Sequence, residues 1–174
     1  MASEGSALDE AFLRSLGKFD LVYSWGVLHH TGQMWKALDL VTIPAKHMLL
    51  VSLYADQGML SRIWRPLKRM YVHHPLSRGP IKAAALSMMW APKLRFGPRH
   101  AIQEWRHYNQ KRGMSARHDI VDWAGGYPYE FAKPADVISF YAARGFSLRS
   151  SPPSCGVIRV NQYLFELAAV PIEL

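Results

Sequence analysis

The sequence is poor in cysteine and lacks the common metal-binding motifs. Cys155 is the single cysteine among 174 residues, which excludes an internal disulfide framework and favours a reducing compartment. The chain contains no C-x-x-C pair and no H-E-x-x-H motif. We therefore expect no metal site.

Long apolar runs are also missing. No segment approaches the roughly 18 apolar residues that a membrane-spanning helix requires. The first five residues, MASEG, lack the basic and apolar regions of a secretory signal. These absences predict a soluble cytoplasmic protein.

Acidic residues are nearly absent from the middle of the chain. Between residues 57 and 118 there are thirteen lysines or arginines and one acid, Glu104, whereas the rest of the chain has eight basic and twelve acidic residues. Such a basic block favours contact with anionic ligands, an anionic membrane surface or nucleic acid. It is equally consistent with solvated helices whose arginine stems cover apolar surface.

The remaining composition predicts a folded domain with a substantial core, since 49% of residues are hydrophobic and 12% aromatic. Two compact runs of strand-forming residues, 19–23 and 47–54, predict buried strands. Between them, residues 34–40 have a short helical pattern, which completes a βαβ unit. Before them, Asp9 is the expected N-cap of a short helix that ends at Gly17.

The basic block has a helical pattern of apolar residues. This spacing predicts helices over about 60–71, 81–90 and 100–112. Pro66 falls inside the first of them and predicts a kink or a break. The rest of the chain predicts a helix and two strands, over 134–144, 146–149 and 161–169.

Two segments carry a family resemblance. Residues 19–30 read FDLVYSWGVLHH, and Gly26 permits a sharp turn after the strand. In open α/β sheets, ligands bind beyond the carboxyl ends of the strands, where His29 and His30 fall. This segment closely resembles the fourth-strand motif of class I S-adenosylmethionine-dependent methyltransferases. Residues 118–130, HDIVDWAGGYPYE, resemble a segment of one branch of that family that lies over the substrate side of the cofactor cleft.

The resemblance implies a fold and an activity. It covers most of residues 5–56 and 118–169, and it implies strands four to seven of a seven-stranded Rossmann-like sheet. We therefore expect a partial α/β core with an inserted helical cap, divided as 1–56, 57–117 and 118–174. The implied activity is methyl transfer from S-adenosylmethionine to a small acceptor such as a sugar, a quinol or a lipid-linked headgroup.

The sequence departs from the family in its glycines. Family members hold the cofactor over a G-x-G turn after the first strand, but none of the twelve glycines here lies two residues from another. A second hypothesis is therefore a non-catalytic fragment or partner subunit. The strand over 19–23 would become a sheet edge, which predicts self-association or a companion chain. A basic module for nucleic acid or anionic membrane ranks last.

The resemblance also implies site residues. His30 is the expected general base or a substrate contact, because imidazole titrates near neutrality, whereas His29 is expected to be structural. The alternative for His30 is a packing role. Residues expected to contact the cofactor are Ser6 and Ala7 at the adenine, in what is otherwise a turn that begins a helix, and Ser24, Trp25, Gly26 and Val27 at the methionine portion. Residues expected to contact the acceptor, or merely to close the cleft, are Asp122, Tyr127 and Glu130.

Overall fold

The computed structural model describes residues 3–113, 115–152 and 159–168. They form two compact units: one comprises the residues up to Gln57 together with those from Glu130 onward, and the other is Gly58–Tyr129. The elements of the first unit are α1 (Glu10–Ser15), β1 (Phe19–Trp25), α2 (Met34–Leu40), β2 (Ala45–Tyr54), α7 (Pro134–Ala142), β3 (Phe146–Ser150) and β4 (Val160–Leu167). Those of the second are α3 (Met59–His73), α4 (Arg78–Leu94), α5 (Pro98–Arg112) and α6 (Ala116–Gly125), and short 3₁₀ turns occur at Leu28–His30 and Pro75–Ser77.

The first unit is built on a four-stranded mixed sheet in the order β1-β2-β4-β3. β1 runs parallel to β2, and β4 runs antiparallel to both of its neighbours. The expected α/β class is therefore confirmed. β2 is central and buried, as its unbroken apolar sequence predicted, and Leu49 pairs with Phe165, both fully enclosed.

β1 corrects a prediction. The apolar run over 19–23 predicted a buried strand, but Leu21 is 49% exposed and Tyr23 is 61% exposed. The reason lies outside the strand: within the described part of the chain, β1 pairs with β2 alone and is an edge of the sheet. An apolar sequence shows that a strand can be buried, but the strands and helices packed against it determine whether its side chains are buried.

Helices α1 and α2 begin and end where local signals predicted. The Asp9 carboxylate accepts a hydrogen bond from the amide of Phe12 at 3.0 Å, which confirms the N-cap. α2 spans the expected residues 34–40. Buried Tyr141 of α7 donates its hydroxyl to the carbonyl oxygen of Leu38 at 3.1 Å, which links the two helices, and burial raises the pKa of this phenol.

Pro66 neither splits nor ends α3, which continues from Met59 to His73. Of the two predicted outcomes, the break is wrong, and the kink stays a prediction. A proline in a helix leaves the carbonyl four residues earlier without its usual partner, here that of Arg62. Both residues are exposed, so water can solvate that carbonyl.

The second unit extends further than the expected insertion, to Tyr129 rather than residue 117. The difference arises from α6, which packs against α3 and α4. No helix was predicted over residues 118–125, but they form most of α6. Its N-cap is Ser115, whose hydroxyl accepts from the amide of His118 at 3.2 Å.

The end of the chain follows the predicted order of helix, strand and strand. β4 ends at Leu167, and the predicted strand end at residue 169 lies outside the described residues. Cys155 also lies outside them.

Candidate functional site

The turn after β1 is the first part of the candidate site. Gly26 has a φ of +71°, in the left-handed region that glycine enters without a steric penalty. The chain then forms the 3₁₀ turn Leu28–His30. This geometry brings residues 24–30 to the carboxyl end of β1, where α/β sheets commonly bind ligands.

An open groove of about 500 Å³ runs along β1. Its volume falls in the range of small-molecule sites, and its wall is mostly apolar. Four of the six residues expected at the cofactor line it: Ala7, Ser24, Trp25 and Val27. The complete lining consists of those four with Leu13, Leu16, Phe19, Leu21, Val22, Tyr23, Leu28, Val41 and Pro44.

The other two expected cofactor residues, Ser6 and Gly26, are not in the groove lining. The Ser6 hydroxyl accepts from the amide of Leu8, and its carbonyl accepts from the amide of Asp9, both at 3.1 Å. Ser6 therefore forms the turn that begins α1. Gly26 provides the left-handed turn that separates Trp25 from Val27.

His30 belongs to an aromatic cluster at the carboxyl ends of β1 and β2. Its ring centroid lies 4.4 Å from that of His29 and 5.5 Å from that of Tyr54. His29 is 1% exposed and 4.1 Å from Tyr54, in agreement with a structural role. His30 is only partly buried, so its imidazole is the one in this pair that a ligand can approach.

Glu130 joins this cluster through the backbone. Its amide donates to the carbonyl oxygen of His29 at 3.1 Å. Its carboxylate accepts from the amide of Met34 at 3.0 Å, which satisfies a donor in the first turn of α2. The structure therefore gives Glu130 a positioning role at the turn that carries His30.

Replacement of Glu130 tests this positioning role. We expect Glu130→Ala to lower the free energy of unfolding by about 1 kcal/mol, the usual loss when a helix cap is removed. Glu130→Gln should lose less, because its amide oxygen still accepts from Met34. Urea unfolding measures both. The matched control is Glu10→Ala, which removes an exposed carboxylate paired with Arg14 and should cost less than about 0.5 kcal/mol; equal losses at the two sites would contradict the role.

The other two residues expected at the acceptor lie in the second unit. Asp122 is exposed on α6, and the ring of Tyr127 lies 5.9 Å from that of His73. The structure thus brings Glu130 together with His30, but it assigns Asp122 and Tyr127 to the unit that contains the basic helices.

Lys68 is a buried charge that the sequence analysis did not single out. It is 0% exposed, and its ammonium donates to the carbonyl oxygen of Trp123. That nitrogen lies 4.1 Å from the Trp123 ring centroid and 4.8 Å from that of Tyr129. Burial lowers the pKa of Lys68 to about 7, and the carboxylate of Asp122 partly opposes this change.

The burial of Lys68 could have been predicted from its spacing in the sequence. It lies four residues after Trp64 and three before Tyr71, both buried on the inner face of α3. Residues at these intervals share a helix face, so the apolar pattern already placed this lysine inside.

In the described parts of the chain, no three His, Cys, Asp or Glu side chains group as a metal site would require. Within the same residues, no helix has both the length and the apolar character needed to cross a membrane.

Comparison with known proteins found similar structures but no similar sequences. No protein-family profile matches the chain, and no curated protein resembles it in sequence. Magnesium protoporphyrin IX methyltransferase from Synechocystis PCC 6803, solved with bound SAH, matches 90% of this chain and 48% of its own at 14% identity, with a TM-score of 0.46. PKMT2 from Rickettsia typhi matches 90% of this chain and 37% of its own at 12% identity, with a TM-score of 0.51.

This chain therefore spans about half or less of the length of those two proteins. The similarity to PKMT2 extends over most of the chain at very low sequence identity. At such identity the likeness concerns the fold alone.

Proposed function

We propose that this protein takes part in S-adenosylmethionine-dependent methyl transfer to a small-molecule acceptor. The observation that carries the proposal is the groove along β1, which ends at the turn 24–27 on the carboxyl side of a parallel strand pair. The fold likeness supports the same assignment. The acceptor class we propose is a sugar, a quinol or a lipid-linked headgroup.

The groove fits the apolar portions of such a cofactor. The residues that would hold it are Ala7, Ser24, Trp25 and Val27, with Gly26 setting the turn and Ser6 fixing the start of α1. When bound, the cofactor supplies a methyl group on a sulfonium, open to in-line displacement by an acceptor oxygen or nitrogen. The protein's contribution is mainly to position the reactants and exclude water.

His30 is the residue we propose to accept the acceptor's proton. A neutral imidazole is a suitable base near neutral pH. Tyr54 and His29 pack against its ring and restrict its orientation, while Glu130 fixes the turn. The acceptor contacts expected at Asp122 and Tyr127, both in the second unit, stay predictions.

Calorimetric titration with S-adenosylmethionine and S-adenosylhomocysteine tests the proposal. We expect saturable micromolar binding, weakened at least about tenfold by Trp25→Ala, because losing the apolar contact of this side chain with the methionine portion costs about 1.5–3 kcal/mol. The matched control is Trp35→Ala. Trp35 is 40% exposed, against 47% for Trp25, but packs on Phe140 rather than lining the groove. Absence of binding at millimolar ligand would refute cofactor binding by the chain alone.

A second candidate function is a non-catalytic partner subunit. It is favoured by the lack of any G-x-G sequence and by the exposed edge of β1. On this hypothesis the chain binds no cofactor by itself, and binding appears only when a companion polypeptide supplies the glycine turn. The same titration, repeated with and without such a companion, separates the two functions.

A further inference from the structure

The outward face of α3 carries an apolar stripe. Met59, Ile63, Pro66 and Met70 follow one another at intervals of four, three and four residues, which places them along one side of the helix. Met59 is 76% exposed, Ile63 50% and Met70 45%. The opposite side is already occupied by buried Trp64, Lys68 and Tyr71. The stripe is therefore surplus to the packing of the unit itself.

A stripe of arginines runs beside it. Arg62, Arg65 and Arg69 each precede a member of the apolar stripe by one residue, about 100° around the helix axis. All three are exposed, and none forms an ion pair among the described residues. Three uncompensated guanidinium groups thus flank a continuous row of exposed apolar side chains.

We propose that this face of α3, the α3 stripe, docks on an anionic lipid bilayer. An interfacial helix buries an apolar face at the headgroup boundary while its basic residues meet lipid phosphates. Met59, Ile63 and Met70 supply the apolar contact. The arginine stems extend along the same surface and bring their guanidinium groups to the headgroups. This inference goes beyond methyl transfer and does not depend on it.

Charge complementarity specifies the surface. The segment 57–118 has thirteen basic residues and one acid, so an anionic leaflet attracts the unit as a whole. Nucleic acid would satisfy the arginines equally well, but it would leave the methionines and isoleucine in water. An anionic bilayer surface provides a partner for both the arginines and the apolar residues of this face.

Flotation of the full chain with lipid vesicles tests the proposal. The vesicles contain phosphatidylcholine alone or with about 30 mol% phosphatidylserine, an anionic lipid. We expect binding to the anionic vesicles only, weakened by salt. The triple change Arg62→Gln, Arg65→Gln and Arg69→Gln should lower the partition coefficient about 100-fold, since each arginine near the surface contributes about fivefold. The pair Ile63→Ser and Met70→Ser should lower it at least about tenfold by loss of apolar contact.

A matched control removes the same charge elsewhere. Lys18→Gln, Lys36→Gln and Lys46→Gln change three exposed lysines of the first unit and reduce the net charge equally. We expect this variant to bind within about threefold of the unaltered chain. Circular dichroism checks that every variant keeps its helices.

Three results would overturn the proposal. The first is equal binding to neutral and anionic vesicles, or to neither. The second is an equal loss in the α3 and control triples, which would reduce the effect to net charge. The third is tighter binding to duplex DNA that the arginine triple abolishes and the Ile63 and Met70 pair leaves intact, which would make the face a nucleic-acid site.

Discussion

The helices of this protein should become more stable as the pH rises from about 7 towards 10.5. Folding lowers the pKa of Lys68 from 10.5 to about 7. Between these values the unfolded chain holds a proton on this amine that the folded chain has released, so unfolding takes up a proton. Raising the pH therefore disfavours unfolding, by about 1.4 kcal/mol per pH unit and up to about 5 kcal/mol in total. Below pH 7 the full penalty for burying the ammonium applies.

Lys68→Met isolates this effect. We expect the variant to be several kcal/mol more stable than the unaltered chain at pH 6, because a buried charge is replaced by an apolar side chain of similar length. The Trp123 carbonyl oxygen keeps one donor, the amide of Gly126 at 3.4 Å. The advantage should shrink as pH approaches 10.5, since Lys68 is then neutral in both states.

Urea unfolding followed by far-ultraviolet circular dichroism measures the helices at each pH. The matched control is Lys82→Met, which removes a partly exposed lysine from α4 in the same unit. Its stability should parallel that of the unaltered chain across the whole range. Parallel curves for Lys68→Met as well would show that the buried amine does not govern the pH dependence.

The purified chain should self-associate through β1. This strand presents alternate apolar side chains, Phe19, Leu21, Tyr23 and Trp25, each between 47% and 61% exposed. It also has backbone donors and acceptors along an edge that no other described strand covers. Edges of this kind pair with other chains unless charge, proline or a bulge blocks them. At micromolar concentration we expect a mass of at least twice the 19.8 kDa of one chain.

A pair of substitutions should convert the assembly to a monomer. Leu21→Lys and Tyr23→Lys introduce the residue that natural sheets use to block edge pairing. The control is Leu148→Lys. Leu148 lies on β3, at the opposite edge of the same sheet, and is 36% exposed in the unaltered chain. Sedimentation equilibrium should show a monomer for the pair and an unchanged assembly for the control. A monomeric unaltered chain at 100 µM, about the upper end of the range used for weak association, would contradict the expectation.

Local signals predicted local structure well. Helix α2 lies where its pattern indicated, and the Asp9 cap is present because a cap depends only on the next three residues. The turn at Gly26 has the same explanation. The family resemblance correctly predicted a mixed α/β class. Four of the six residues that it implies at the cofactor line one groove, and their roles stay predictions.

Features that depend on distant neighbours could not be predicted in this way. Burial of β1 depends on which strands flank it, and the toleration of Pro66 depends on which side of α3 faces water. α6 was not predicted, because only a few apolar residues on its buried face pack against the neighbouring helices. The enclosure of Lys68 requires Trp123 and Tyr129, more than fifty residues away.

The strand order also determines when each part of the chain can fold during synthesis. In the sheet, β4 lies between β2 and β3. Leu49 of β2 therefore cannot pair with Phe165 until β4 has been synthesised. The segment Gly58–Tyr129 is continuous and helical, so its contacts become available as soon as it leaves the ribosome. We therefore expect the helical unit to fold first on a translating ribosome and β1 and β2 to stay exposed until β4 is made, which favours chaperone binding.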